Sequence, residues 1–315
     1  MRPIHKNTKS KASLKERLIY KVSLASLFNL TPDEFENDYG GDLLAYSFVS
    51  ECAGDWLGKF HNKLAEAIGK DYLPVYRMAD GEYQFLVGLK IDFHSQAIFR
   101  HVLSFMFRKT IEILNGPSIK TSWGETYSHT EIIELRKKYL IDLEELTRKG
   151  IICALLYENP KKAYMHYNKS IFAFFDKKRI ELNENNLFPF HFPLLALSDY
   201  KWNELFFGTK VLIITGNIEN RKNIFEENLK DLGVQKVGFY EISANSSLKD
   251  KIDKKNITDQ GDFNIALVGA GIGSLNILTQ LSWFKGPVID VGGFISVLQD
   301  KNYRYHGGAV KYPIF

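Results

Sequence analysis

Between residues 210 and 293, short apolar runs alternate with amphipathic stretches. KVLIITG at 210–216, VQKVGFYEI at 234–242, FNIALVGAG at 263–271 and PVIDVGG at 287–293 read as strands. Residues 219–232, 245–255 and 274–284 read as helices, the first stopping at Gly233. Strands alternating with helices of this length build a parallel sheet with right-handed crossovers. The expected fold class is α/β, a Rossmann-like open, mostly parallel sheet flanked by helices. Ligands of such sheets bind beyond the carboxyl ends of the strands. The strand-end runs MADGE, ITGNIENR, ISANSS, VGAGIGS and IDVGG are therefore where a site is expected.

Upstream, residues 1–13 are polar and basic, and 14–30 have the apolar spacing of a helix. Lys6, Lys9, Lys11, Lys15, Arg17 and Lys21 make this end positive. It reads either as a segment docking peripherally on an anionic membrane surface or as a solvated tail with a packed first helix. A long helix is expected over 42–69, a strand at 73–78, helices at 81–89 and 95–114, and a strand within 118–123. A helix over 130–148, a buried strand at 151–158 and a helix over 162–182 follow. NLFPFHFP at 186–193 reads as a loop or edge strand. The protein divides into a basic tail with helical extension, 1–70, and an α/β domain, 71–315.

The 315 residues are 45% hydrophobic and 25% charged, with a formal net charge of +4. That balance lacks the dense basic face of a nucleic-acid binder. Cys52 and Cys153 lie far apart in apolar contexts and read as buried thiols, not as a disulfide framework or a zinc site. A reducing compartment fits. The first residues show no apolar signal region, and runs such as IICALLY at 151–157 are too short to span a bilayer. The expected location is cytoplasmic, at most peripheral to the inner face of the cell membrane.

VGAGIGSLNIL at 268–278 places Gly269, Gly271 and Gly273 between a strand and a helix. The dinucleotide fingerprint wants its third glycine where Ser274 stands. Asp290 is roughly where the ribose acid belongs, but only a short tail follows it, and a methyltransferase motif would open the sheet rather than close it. The glycines could still hold NAD, S-adenosylmethionine or a phosphate on backbone N–H groups, or simply let strand and helix pack closely.

PVYRMADGEYQF at 74–85 places Asp80, Gly81 and Glu82 after a strand. Gly81 permits a tight turn. Two carboxylates on a loop can share a hard divalent cation that takes its other ligands from water and substrate phosphates. Arg77 could add a bidentate phosphate contact. A solvated acidic turn is the plain alternative.

The pattern R-x-x-D-G-E followed by an apolar helix resembles the signature of the GT-D-type glycosyltransferases, first described as a domain of unknown function. The resemblance continues through Asn220-Arg221 in ITGNIENRKNIF, Asn245 in ISANSS, the glycines of LVGAGIGSLNIL, and Asp290 in VIDVGGF, covering roughly 73–298. It departs at Thr215-Gly216, where the family often has Glu-Gly, and at Gly292-Gly293, where it often has Gly-His. The resemblance implies a glycosyltransferase in surface polysaccharide or glycoprotein biosynthesis. Its donor would be a nucleotide sugar, with a UDP-sugar first in line, and its acceptor a glycan, glycoprotein or lipid-linked acceptor. Asp80 and Glu82 would hold Mn2+ or Mg2+ against the diphosphate, and Arg77, Arg221, Asn245, Gly269 and Gly271 would contact the donor.

Inverting transfer needs a base for the acceptor hydroxyl. Asp290 is the first candidate because it ends a strand of the same sheet; Glu125, His94 and His129 are others. TSWGETYSH at 121–129 has a composition suited to sugar stacking, or is an ordinary loop. His166 and His191 lie among aromatics and read as core or rim histidines. The non-enzymatic alternative is a degenerate protein that binds sugar nucleotides without turning them over.

Overall fold

The computed structural model describes residues 12–27, 31, 42–87, 118–120, 126–158, 165–198, 201–244 and 247–299. Its strands are β1 (Tyr20–Ser23), β2 (Leu44–Ser47), β3 (Leu73–Met78), β4 (Ser118–Lys120), β5 (Thr126–Ser128), β6 (Ile151–Ala154), β7 (Tyr157–Glu158), β8 (Leu187–Pro189), β9 (Lys210–Thr215), β10 (Lys236–Glu241), β11 (Ile265–Gly269) and β12 (Pro287–Asp290). Seven of them form one sheet in the order β10-β9-β11-β12-β3-β6-β8, with every neighbouring pair parallel. The expected α/β fold with a parallel central sheet is what the protein forms.

The sequence dictates this sheet through burial. β6 and β12 are buried at every residue, and β3, β9 and β11 at all but one terminal residue. Such unbroken apolar strands need cover on both faces, which parallel sheets receive from their crossover helices. Pro189, which cannot donate to a ladder, sits in β8 at the sheet edge, where the reading of 186–193 allowed it. Helix Ala53–Ala67 packs Trp56 and Phe60 against Phe188 and Phe192. The long helix His129–Lys149 starts from a capping box of Ser128 and Glu131 and stops at Gly150. Among the described residues no helix is long and apolar enough to cross a membrane.

The fold differs from the sequence reading where long-range pairing overrides local spacing. The helix expected over 14–30 is a short helix Leu14–Arg17, then β1, then Leu24–Leu27. β1 pairs antiparallel with β2, which consumes the start of the helix expected over 42–69. The run 151–158 is two strands. It breaks at Leu155 and Leu156 because β6 joins the large sheet while β7 joins β1 and β2. Of the helix expected over 245–255, the described residues from 247 form a turn and then enter helix Lys254–Thr258, whose N-cap Asp253 accepts two backbone N–H groups. Cys153 is buried as expected. Cys52 is exposed, its sulfur accepting the Asp55 N–H at the start of helix Ala53–Ala67. The described residues of 1–70 share their core with the rest, since β7 completes their sheet and the buried side chains form one cluster. The helix expected at 95–114 lies outside the described residues.

Candidate functional site

The strand order places the site. From β9 the backbone runs outward to its edge neighbour β10; from β11 it runs the other way, to β12. Helix Lys222–Asp231 accordingly packs on β10 and on the 3-10 segment Gly292–Gln299, while helix Ser274–Gln280 packs on β3 and helix His129–Lys149. The two connections part between β9 and β11, and a switch of this kind opens a crevice at the strand carboxyl ends.

A crevice of about 240 Å³ is found there, lined by Thr215, Gly216, Asn217, Ser243, Ala244, Ser247, Gly269, Ala270, Gly271 and Ile272. Its lining consists of hydroxyls, an amide, small side chains and backbone, with no charged side chain among the described residues. Hollows of about 480 and 400 Å³ also exist, but they reach Leu73 and Ile151, or Lys210, at the opposite, amino ends of the strands. Position relative to the switch point outweighs size in choosing between them. Ligand pockets usually measure about 300–1,000 Å³, so the crevice would take a part of a ligand, such as a diphosphate or a ribose.

Its walls are tied from strand to strand. Thr215 Oγ1 donates to Gly269 O at 2.9 Å, joining β9 to β11, and Ser247 Oγ donates to Ala270 O at 2.9 Å. Gly271 has φ +52, and among the described residues no atom beyond its two chain neighbours lies within 4 Å of where its Cβ would be. Gly269 and Gly271, both expected at the site, are therefore in it. Arg221 straps the turn after β9: its Nε donates to Asn217 O at 2.6 Å and its Nη2 to Gly216 O. Asn217 itself holds φ 56, a conformation asparagine tolerates better than most residues. Asn245 lies outside the described residues, but its neighbours Ser243, Ala244 and Ser247 line the crevice. Thr215, Asn217, Ser243 and Ser247 were not singled out as binding residues; their signal is small polar side chains just past a strand end.

Asp80, Gly81 and Glu82 occupy neither a loop nor a tight turn. They open the helix Asp80–Val87, which follows β3 after Ala79. Glu82 Oε2 accepts the Ala79 N–H at 2.9 Å, the bond that satisfies an orphan donor at a helix start. Among the described residues no group of three or more His, Cys, Asp or Glu is placed to hold a metal ion. The pair is nonetheless an all-oxygen donor set of the kind that shares a hard cation with substrate phosphates.

Asp290 is 3% exposed at the end of β12. Its Oδ1 accepts Ser274 Oγ at 2.9 Å and the Gly292 N–H at 3.0 Å; its Oδ2 accepts the Arg77 N–H at 3.3 Å. Burial pushes its carboxyl up to about 6, against the downward pull of Arg77, Ser274 and the two backbone donors. Arg77 is 4% exposed and turned into the protein. Its Nη1 donates to Val291 O at 2.8 Å, and its guanidinium lies 4.0 Å from the Phe190 ring centroid. Tyr76 and Tyr139 meet through their hydroxyls on β3 and helix His129–Lys149, both held far toward the neutral phenol, chiefly by burial and also by the charges of Glu82 and Asp290. Glu82 and Asp290 thus act on one neighbourhood. His191 is a core residue, as read, fully buried against the Tyr157 hydroxyl. His94 and Glu125 lie outside the described residues.

These features define a Rossmann-like α/β protein with a small polar crevice at its switch point. No protein-family model and no solved structure matches the sequence. A similarity exists to a GTP-binding protein Rheb homolog of Drosophila melanogaster, 26% identical over 103 residues, which are 33% of this chain and 45% of that protein. The match spans less than half of that protein.

Proposed function

We propose that this protein binds a nucleotide, with the phosphate or ribose part held in the crevice formed by β9, β10 and β11. The observation that carries the reading is the open space beside Gly271 at the switch point, where backbone can approach a ligand closely. The partial similarity to a GTP-binding protein agrees with nucleotide binding as a class. The phosphate loop G-x-x-x-x-G-K-(S/T) occurs nowhere in this sequence, so the nucleotide would not be held as in P-loop proteins.

Two chemistries fit such a site. Gly269 and Gly271 line the crevice themselves, which favours a Rossmann-like use of NAD or S-adenosylmethionine, or nucleotide binding without turnover. The D-G-E helix start lies at the end of β3, two strands from β11 along the same sheet edge, which favours glycosyl transfer from a nucleotide sugar. In that reading Asp80 and Glu82 would hold Mn2+ or Mg2+, and the ion would neutralise a diphosphate leaving group. In that reading the crevice at Gly271 would hold part of the donor's diphosphate or ribose. The acceptor would be a glycan, glycoprotein or lipid-linked molecule.

A melting-temperature screen separates these chemistries. UDP, GDP, their sugars, NAD and S-adenosylmethionine are tested with and without Mn2+ on wild type and on Asp80→Ala/Glu82→Ala. A ligand at 100 times its Kd stabilises the folded state by about 2.7 kcal/mol. Glycosyl transfer predicts a Mn2+-dependent rise with one nucleotide sugar that the double variant loses. A metal-independent rise with NAD or S-adenosylmethionine removes the transferase reading, and no rise with any compound removes nucleotide binding.

A further inference from the structure

We infer that Asp290 and Arg77 form a reciprocal clamp, with Asp290 the positioning residue that fixes the glycine loop against β3. The inference rests on the nucleotide-binding reading and adds to it the group that holds the two parts of the binding edge together. The connections part a second time between β12 and β3. After β12 the backbone turns back over β11 and helix Lys222–Asp231, whereas after β3 it leads on to β6. The backbone ladder between the two strands ends at Ile289↔Val75.

Beyond that point side chains take over. The Asp290 carboxylate accepts the backbone N–H of Arg77, and the Arg77 guanidinium donates to the backbone carbonyl of Val291. The same carboxylate accepts from Ser274, the first residue of the helix after the glycines, and from Gly292, in the turn after β12. Gly292 has φ +52 and sits against the clamp: a Cβ there would lie 2.9 Å from Arg77 Nη1. Three segments therefore meet on one carboxylate, and one of them is the glycine loop.

The charged and titratable neighbours among the described residues are Arg77 and Tyr76 on β3, Glu82 on the helix after it, which acts on the same tyrosines, Tyr139 on helix His129–Lys149, and Cys153 on β6. The tyrosines and Cys153 are held neutral, chiefly by burial, so Arg77 supplies the positive charge on the carboxylate. Perturbed carboxylates cluster at functional sites, although structural ion pairs perturb them as well.

The test uses the 315-residue protein and Asp290→Asn. Asparagine keeps one oxygen for Ser274 and Gly292 and turns a donor toward the Arg77 N–H. Amide hydrogen exchange over 269–276 is expected to quicken about tenfold or more while the melting temperature at neutral pH holds or rises. Nucleotide affinity is expected to drop by a similar factor. Wild-type affinity should weaken as pH is lowered from about 7.5 to about 5.5, and the variant's affinity should not respond. Should Asp290→Asn fail to fold, Ser274→Ala removes a single donor and is expected to quicken exchange in the same segment severalfold. Unchanged exchange there, in either folded variant, overturns the clamp whether or not a nucleotide binds. Absence of nucleotide binding by wild type, with exchange altered as expected, overturns the binding site and leaves the clamp standing.

Discussion

Changing Arg77 to methionine is expected to lower the unfolding free energy by about 3 kcal/mol at about pH 8, and by less at about pH 5. Methionine fills much of the stem's volume but leaves Val291 O without its Nη1 donor and ends the stacking on Phe190. Cation–π contact of this desolvated kind is worth about 2 kcal/mol. The pH dependence comes from Asp290. Burial raises its folded pKa from 3.8 to about 6, so the folded protein disfavours the ionised form. Such a group contributes its stability fully below the unfolded value and loses it as pH rises through the folded value. Without Arg77 the folded value climbs further, so the loss continues to higher pH. Near pH 5 the carboxyl is mostly protonated in both proteins, and the electrostatic part of the difference vanishes. Urea unfolding at the two pH values measures the gap. A gap that does not change with pH would show that Arg77 does not act through Asp290. Adding Asp290→Asn to Arg77→Met should recover part of the loss, a coupling of about 1 kcal/mol or more.

Gly273→Ala is expected to cost about 2–3 kcal/mol, the upper part of the range of about 1–3 kcal/mol for overpacking a filled site. A Cβ at Gly273 would lie 2.2 Å from Ser247 Oγ and 2.5 Å from the Ser247 carbonyl carbon. Ser247 is buried and tied to Ala270, so it yields only by shifting the crevice wall. The cost is packing and not conformation, because Gly273 has φ -80, which alanine adopts freely. Gly271→Ala is the control. Its backbone is left-handed, costing about 1–2 kcal/mol, but its Cβ would meet nothing within 4 Å. Denaturation of both variants should rank Gly273→Ala as the more damaging. The reverse order would contradict the described contact between the glycine loop and Ser247.

The central sheet was legible because β3, β6, β9, β11 and β12 carry apolar runs that only two-sided cover can satisfy. β1 and β2 were not. They are four residues each, embedded in helix-like spacing, and long-range pairing decides them. Gly269 and Gly271 could be read because glycines directly after a strand mark close approach. Asp290 could be read as a strand-end acid, but its burial could not, because its partners Ser274 and Arg77 lie 16 and 213 residues away. Arg77 looked like a phosphate contact beside two carboxylates; the fold instead turns its guanidinium onto Val291 and Phe190. Asp80-Gly81-Glu82 looked like a loop because glycine is a poor helix former. The Glu82 cap on Ala79 shows why a helix can start there.

The central claim is the location of a nucleotide in the crevice between β9, β10 and β11. Calorimetric titration of the nucleotide that most raises the melting temperature, into wild type and into Ala244→Trp, tests it most directly. Ala244 is an exposed residue of the crevice lining, so tryptophan there adds bulk at the site without disturbing the core. Binding by wild type, and at least about tenfold weaker binding by Ala244→Trp at an unchanged melting temperature, is the predicted result. Equal affinities in the two proteins would contradict the account and place the nucleotide elsewhere on the sheet edge.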